Sequence, residues 1–492
     1  MRKALVFLLT GGIGYSLLGQ TAMDALKLSR WHLWSTARST AVGSSMGAIG
    51  ADASVMLSNP AGLGLYKRGD FMFTPMIQGT FSSSQYLNNI SKSGRYSFGM
   101  GNIAVIAVGD NSYYKGEPKE EGWLFVNWAL GGQRLADFNQ RIVFSGINEN
   151  NSMLDAFVVK LNGRSPIEGN PFYEGLAYHA NLLRVVNADS NQYMHVAQGV
   201  PVFQRGELTE RGSIFEGYLA VAGNYSNKVY IGGSIDVSLL NYKRTFRYEE
   251  SDEKNQAPDF EKFTLSRNIS TSGYGVGGRF GILYWLPIPV RIGFAMHSPR
   301  FFTLTDRYGS VIEAILDTTG TFSVESEPGK FDYRFVSPWR VTASLGIVFK
   351  KIGFISLDYA FVDYSTMYFD FGSSAGAASV EASVNTTIAS RYGPSHEVRG
   401  GIELKLAEWF MIRLGGGIAT SPFNPEYGIS EPSTFLSGGL GVREKEFYLD
   451  FALSHTKWQD TFVPYVIPGV ETPIVTSSLY RTSFLITFGW RH

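Results

Sequence analysis

"FYLDFALSH", residues 447 to 455, decides the fold. Phe447, Leu449, Phe451 and Leu453 share one side of an extended chain, and Tyr448, Asp450, Ala452 and Ser454 share the other. A period of two, with one apolar and one polar or small face, is the signature of a β-strand. "VRIGFAMH" repeats it, with Val290, Ile292, Phe294 and Met296 opposing Arg291, Gly293, Ala295 and His297. In "GFISLDYAF", Ile355, Leu357, Tyr359 and Phe361 alternate with Ser356, Asp358 and Ala360. In "VRGGIELKL", Val398, Ile402, Leu404 and Leu406 oppose Arg399, Glu403 and Lys405. Charges thus stand in mid-strand, with Gly, Ala and Ser filling many of the remaining sites. A hydrated lumen tolerates this, but so does the outside of a soluble sandwich.

The connections choose between the two. Strands are expected near 71–87, 97–109, 123–146, 214–224, 230–248, 272–285, 289–306, 332–350, 353–369, 396–406, 409–420, 433–443, 446–457 and 479–491. Their links alternate in length: "KKIG" is followed by 370–395, "AEW" by 421–432 and "REKE" by 458–478. Short turns at one end and long loops at the other mark a transmembrane β-barrel of the outer-membrane type, all-β and antiparallel, with about 14 strands. Aromatic clusters at strand ends (Tyr364, Tyr368 and Phe369; Trp285, Trp409 and Phe410) suit interfacial girdles, though ordinary core positions would also hold them.

Composition agrees. Charged residues are 17% of the 492, against roughly 25% in soluble domains, while aromatics reach 14% and Gly numbers 55. Lys and Arg total 43, as do Asp and Glu, so no basic excess points to nucleic acid. There is no Cys, which removes disulfides, thiol catalysis and thiolate metal ligands. Arg2 and Lys3, followed by the apolar stretches Ala4 to Leu9 and Gly11 to Leu18, read as a signal peptide over 1–20 with cleavage near Gly19 or Gln20; the competing reading is a membrane anchor. No later stretch approaches the roughly 20 apolar residues of a spanning helix. The expected organisation is a small-residue N-terminal segment over 21–69 and a barrel over 70–492, with a long, partly helical extracellular loop over 147–212.

Just ahead of the first strand stands "ARSTAVGSSMGAIGADASVMLSNPAGLGLY" (Ala37 to Tyr66). Its small-residue run and its Asn59-Pro60-Ala61 triplet, followed by Gly62, resemble the hatch of the FadL-type outer-membrane transporters of long-chain fatty acids and other hydrophobic compounds. The resemblance implies a hatch folded inside the lumen, a third strand kinked inward to open the wall, and a hydrophobic groove among helical extracellular loops. The residues suit those roles. Gly and Ala let backbone pack closely in a crowded lumen, and Pro60 fixes φ at a turn. Gly131-Gly132 interrupts the third strand, where paired glycines permit a bend. Leu154, Phe157, Val158 and Leu161, then Leu176, Leu182 and Leu183, recur at helical spacing and are candidates for the groove; packing on the barrel rim is the alternative. Arg399, Arg413 and Asp450 are candidate lumenal polar residues, placed to hold a ligand carboxylate or to pair with one another and the hatch.

Other chemistries find little support. Gly273-x-Gly275-x-x-Gly278 matches a dinucleotide fingerprint by letter but lies in a strand run. The seven histidines are dispersed without metal-ligand spacing or an evident haem-ligand pair, so no cofactor or metal is expected. Ser454 and His455 are neighbours in a strand and point to opposite faces, so they cannot share one catalytic site. The sequence therefore predicts a non-enzymatic, passive outer-membrane transporter of a hydrophobic small molecule, embedded in outer-membrane lipid, with hatch-gated lateral exit. The rival is a PorV-like adaptor barrel whose loops bind secreted or surface proteins.

Overall fold

The computed structural model describes residues 21–31, 34–114, 117–187, 191–349, 351–373, 377–427 and 431–492. The expected signal peptide over 1–20 lies outside the described residues.

The chain forms a closed antiparallel barrel of 14 strands. They are β1 (Asp70–Tyr86), β2 (Asn89–Asp110), β3 (Trp123–Asp137 and Gln140–Asn148), β4 (Val202–Tyr225), β5 (Val229–Ser251), β6 (Lys262–Trp285) and β7 (Val290–His297 and Phe301–Leu316). There follow β8 (Gly329–Val336 and Arg340–Phe349), β9 (Gly353–Asp363), β10 (Pro394–Lys405), β11 (Phe410–Ala419), β12 (Ser433–Glu444), β13 (Phe447–Phe462) and β14 (Val475–Arg491). β1 pairs with β14 from Asp70↔Arg491 to Gln85↔Thr476, which closes the barrel and leaves no free sheet edge there. The links 226–228, 286–289, 406–409 and 445–446 crowd one end, and the long connections 149–201, 371–393 and 463–474 stand at the other.

Alternation assigns the two faces. In β5, Ile235, Val237 and Leu239 point outward and are exposed, while Asp236 and Ser238 are fully buried. In β7, Ile292, Phe294 and Met296 are exposed and Arg291, Ala295 and His297 buried; in β9, Ile355, Leu357 and Tyr359 oppose Ser356 and Asp358. The result is an apolar outer belt and a polar interior, the pattern of a barrel solvated by lipid. Several strands run further toward the long-loop end than their alternation indicates. β2, β4, β6 and β14 begin at Asn89, Val202, Lys262 and Val475, so the loop expected over 147–212 gives way to strand from Val202 onward.

The interior is filled by the N-terminal segment. Helix α1 (Ala22–Ser29) is capped by Thr21, and α2 (Ala37–Ala41) by Thr36; two 3-10 turns, Ala53–Met56 and Pro60–Leu65, follow. α2 leans on β12 and β13, with the Ala37 N–H donating to Thr487 Oγ1 of β14 at 2.7 Å. The small lumenal residues of the wall are explained by this filling. A Cβ at Gly415 would lie 2.1 Å from the backbone N of Gly43, so only glycine lets the two chains approach.

Candidate functional site

Asn59 shows how the segment is held. It is wholly buried; its Nδ2 donates to the carbonyls of Gly47 and of Ile282 in β6, both at 3.0 Å. Its Oδ1 accepts from the Ala61 N–H at 3.1 Å, which caps the turn begun by Pro60. Ala61 is buried, and the Gly62 N–H donates to the Asn59 carbonyl at 3.0 Å. One amide side chain thus ties two stretches of the segment to each other and to the wall.

Charge pairs fasten the rest. Arg38 of α2 donates to both oxygens of Glu403, at 2.9 and 3.1 Å, and Glu403 also accepts from Arg413 at 2.7 Å. Arg413 reaches Asp450 at 2.6 Å, and Arg399 donates to the Ser44 carbonyl at 3.2 Å. Near α1, Lys27 pairs with Glu210, and Arg244 with Asp24 at 3.1 Å. Arg399, Arg413 and Asp450 therefore sit beside the N-terminal segment, engaged with it or with each other.

β3 departs from the barrel wall. Its ladder with β2 runs from Asp110↔Phe125 to Asn102↔Gln133 and stops there, with a bulge between Arg134 and Ala136 on the β4 side. Beyond a break at 138–139, Gln140–Asn148 pairs with β4 alone. It lies inside β1 and β2: Ser82 Oγ and Ser93 Oγ both donate to the Arg141 carbonyl, at 2.8 and 2.6 Å. The β2 edge from Asn89 to Gly101 accordingly has no ladder partner on that side among the described residues, and Tyr96 and Phe98 stand exposed beside it.

Gly131 and Gly132 are not the bend. Both are paired on both sides, Gly131 with Ala104 and Tyr218 and Gly132 with Ile103 and Gly217. A Cβ at Gly131 would meet Ile103 O and Tyr218 Oη at 2.6 Å, so close packing accounts for that glycine. The turn-in belongs to Gln133–Asn139, where Asp137 accepts from Arg134 at 2.5 Å and from the Asn139 N–H at 3.0 Å.

Above the lumen the long loop forms a crown. Helices α3 (Met153–Leu161) and α4 (Glu174–His179) pack on the inner faces of the strand ends. Leu154, Phe157, Leu161, Leu176, Leu182 and Leu183 are 4% exposed or less, in one core with Phe144, Phe246 and Leu208; Val158 packs at its edge. They form the crown's own interior instead of lining an open groove, because a loop with two amphipathic helices must bury both stripes. Glu250 of β5 secures α3, accepting from the Met153 N–H at 2.8 Å and from Ser152 Oγ.

Between crown and N-terminal segment lies a cavity of about 420 Å³. Its apolar lining includes Ile142, Tyr173, Leu208, Phe246, Ile269 and Phe462, and its charged lining Lys27, Glu210, Arg244, Arg267, Arg391 and Asp460. Lys27, Glu210 and Arg244 are consumed in ion pairs. The side chains of Arg267 and Arg391 have no hydrogen bond or ion pair among the described residues; Arg267 stacks on Tyr173 and Arg391 on Phe423 and Tyr427. Such a site offers apolar volume with two guanidinium groups that form no ion pair among the described residues, alongside the single unpaired carboxylate of Asp460. Sequence reasoning missed both arginines, since Arg267 fell outside an expected strand and Arg391 within an expected loop.

No protein-family model matches the chain, and no curated protein matches it by sequence. Its structural neighbours are FadL-type transporters. A FadL homologue from Pseudomonas aeruginosa superposes with a TM-score of 0.53 at 11% identity, over 94% of this chain and 98% of that one. The toluene transporter TodX of P. putida gives 0.51 at 12%, over 94% and 99%. The CymD monoaromatic hydrocarbon channel gives 0.50 at 15%, again over 94% and 99%. At these identities the likeness is one of fold, and the fold is the one that the hatch motif implied.

Proposed function

We propose that this chain is an outer-membrane channel that passes a hydrophobic small molecule without energy coupling, and that its ligand is a long-chain carboxylate. The single observation that carries the reading is the cavity beneath the crown. Its walls are largely apolar, and Arg267 and Arg391 stand there without an ion pair among the described residues, against one carboxylate, Asp460, that is likewise without one. An aliphatic chain with an anionic head balances the remaining cation, whereas a neutral hydrocarbon leaves it uncompensated.

The solved proteins of like fold are named for toluene, for monoaromatic hydrocarbons and as a FadL homologue, which supports hydrophobic transport as the class and favours transport over catalysis. The exit is the gap between the β2 edge and the inturned half of β3. An apolar ligand leaves there for lipid, a better solvent for it than the polar lumen. The N-terminal segment acts as the hatch, and the mature chain resides in the bacterial outer membrane after loss of a signal peptide. The adaptor reading is the weaker one, because the crown's helical leucines turn inward; the apolar residues it does expose, Val159, Ile167, Val186 and Met194, are what a protein partner would have to use.

The test is uptake into proteoliposomes of a labelled long-chain fatty acid and, separately, of a neutral aromatic hydrocarbon. Leu208→Trp, which fills the cavity, should abolish fatty-acid uptake. Uptake of the hydrocarbon alone would overturn the carboxylate assignment, and uptake of neither would overturn the transport reading.

A further inference from the structure

Arg481 lies where the N-terminal segment and the inturned strand meet. It projects from β14 into the lumen and is 1% exposed. Its Nε donates to Thr80 Oγ1 at 2.8 Å and its Nη2 to the Asp137 carbonyl at 3.3 Å, with the Asp137 carboxylate at 3.8 Å. Asp137 is the residue that gathers Arg134 and Asn139 at the bend of β3. The guanidinium is also placed against two indoles, Trp34 of the N-terminal segment at 5.4 Å and Trp458 of β13 at 5.2 Å. Both indoles line a second cavity, about 150 Å³, between that segment and the wall.

We propose that Arg481 is a positioning residue through which the seat of Trp34 sets the inward bend of β3. This rests on the lateral-exit reading for its purpose but not for its test. A buried guanidinium must keep its partners, because each lost contact exposes an uncompensated charge. With Trp34 in place, one face of the group is covered and its donors are directed to Thr80 and Asp137. When Trp34 withdraws, lumenal water gains that face and competes with Asp137 for the same donors. The bend then loses the contact that holds Asp137 to β14, and the inturned half of β3 changes its distance from β2. Movement of the segment and widening of the gap become one event. The neighbouring Trp31 provides the contrast: it stacks at 4.0 Å on Arg300, whose partner Glu216 accepts from Gln133 at the start of the bend and makes no contact with Asp137.

The absence of native Cys allows a clean spin-label experiment. Nitroxides on Lys92→Cys of β2 and Ile147→Cys of β3, both exposed, report the gap by electron-electron double resonance in liposomes without ligand. Trp34→Ala should shift and broaden the distance distribution, and Trp31→Ala should leave it unchanged. Arg481→Gln should produce the shift by itself, and adding Trp34→Ala to it should change nothing further. Should Arg481→Gln fail to close its barrel, as judged by heat-modifiable gel mobility, Arg481→Lys takes its place; a lysine keeps the charge without the flat fork. An unchanged distribution in Trp34→Ala overturns the coupling. So does an equal shift in Trp31→Ala, or additivity of the Trp34 and Arg481 changes. Uptake is not read here, so a failure of transport leaves this result intact.

Discussion

Arg267 holds its guanidinium 4.3 Å from the ring centroid of Tyr173, and Lys160 approaches the same ring at 5.5 Å. An aromatic face attracts a cation without neutralising it, so the charge remains available to a ligand. Arg267→Gln should weaken binding of a long-chain carboxylate about tenfold or more, the equivalent of the ~1.5–3 kcal/mol typical of a hydrogen bond to a charged group. Affinity for a neutral hydrocarbon of similar length should stay the same. Titration calorimetry in detergent separates the two, and equal losses for both ligands would assign Arg267 to packing.

Phe157 offers the opposite case. It is 2% exposed and shares the crown core with Leu154, Leu161 and Leu176. Phe157→Ala should cost ~3–5 kcal/mol of crown stability. Limited proteolysis within 149–201 should accelerate while the barrel keeps its heat-modifiable mobility. If carboxylate affinity falls with crown protection intact, Phe157 touches ligand and the assignment to the core is wrong.

The limits of the sequence are clearest in β5. Near its first half Ile235, Val237 and Leu239 face outward and Asp236 and Ser238 inward. Further on, Tyr242, Phe246 and Tyr248 are buried, while Lys243, Thr245 and Arg247 are exposed. The polarity inverts because the first half is solvated by lipid outside and by the plug inside, whereas the second emerges from the apolar belt and meets the crown. A single rule of apolar outside therefore finds the belt and loses the strand ends, which is why β4 and β6 were expected to start late. The N-terminal segment's place in the lumen was an expectation of the resemblance that Asn59-Pro60-Ala61 carries, a motif short enough to be seen in the sequence. The cavity was not legible there, since Ile142, Leu208, Arg267 and Arg391 come from four separate elements and meet only in three dimensions.

Arg413 tests whether the lumenal charges are structural. Its guanidinium reaches Glu403 at 2.7 Å and Asp450 at 2.6 Å, all three buried, and Glu403 is shared with Arg38 of the plug. Removing one member of such an array strands its partners, at about 3–5 kcal/mol, while removing opposed charges together costs much less. Arg413→Met should lower the barrel's unfolding midpoint in urea, and Arg413→Met with Asp450→Leu should recover much of the loss. Neither variant should alter carboxylate affinity, because Arg413 and Asp450 do not line the 420 Å³ cavity. A selective loss of affinity without a loss of stability would move them into the ligand site.

Asn59 is where the plug should yield first. Its amide supplies two donors, to Gly47 and Ile282, and one acceptor, to Ala61, all at 3.0–3.1 Å; those to Gly47 and Ala61 are buried and that to Ile282 partly so. Asn59→Ala deletes the three together, at about 1 kcal/mol net for each of the two bonds to carbonyls and ~1 kcal/mol for the lost cap. The barrel ladders are untouched, so urea unfolding of the wall should change little. The plug's seat should weaken, which planar-bilayer recording reads as brief openings and a raised baseline conductance. Asn59→Ser is the sharper variant: its hydroxyl keeps a capping acceptor, and the change removes the amide's two donors without adding a charge. An intermediate conductance in Asn59→Ser would apportion the seat between cap and cross-ties. Conductance in both variants equal to that of the unmodified protein would mean that the ion pairs of Arg38 and Lys27 hold the plug without Asn59.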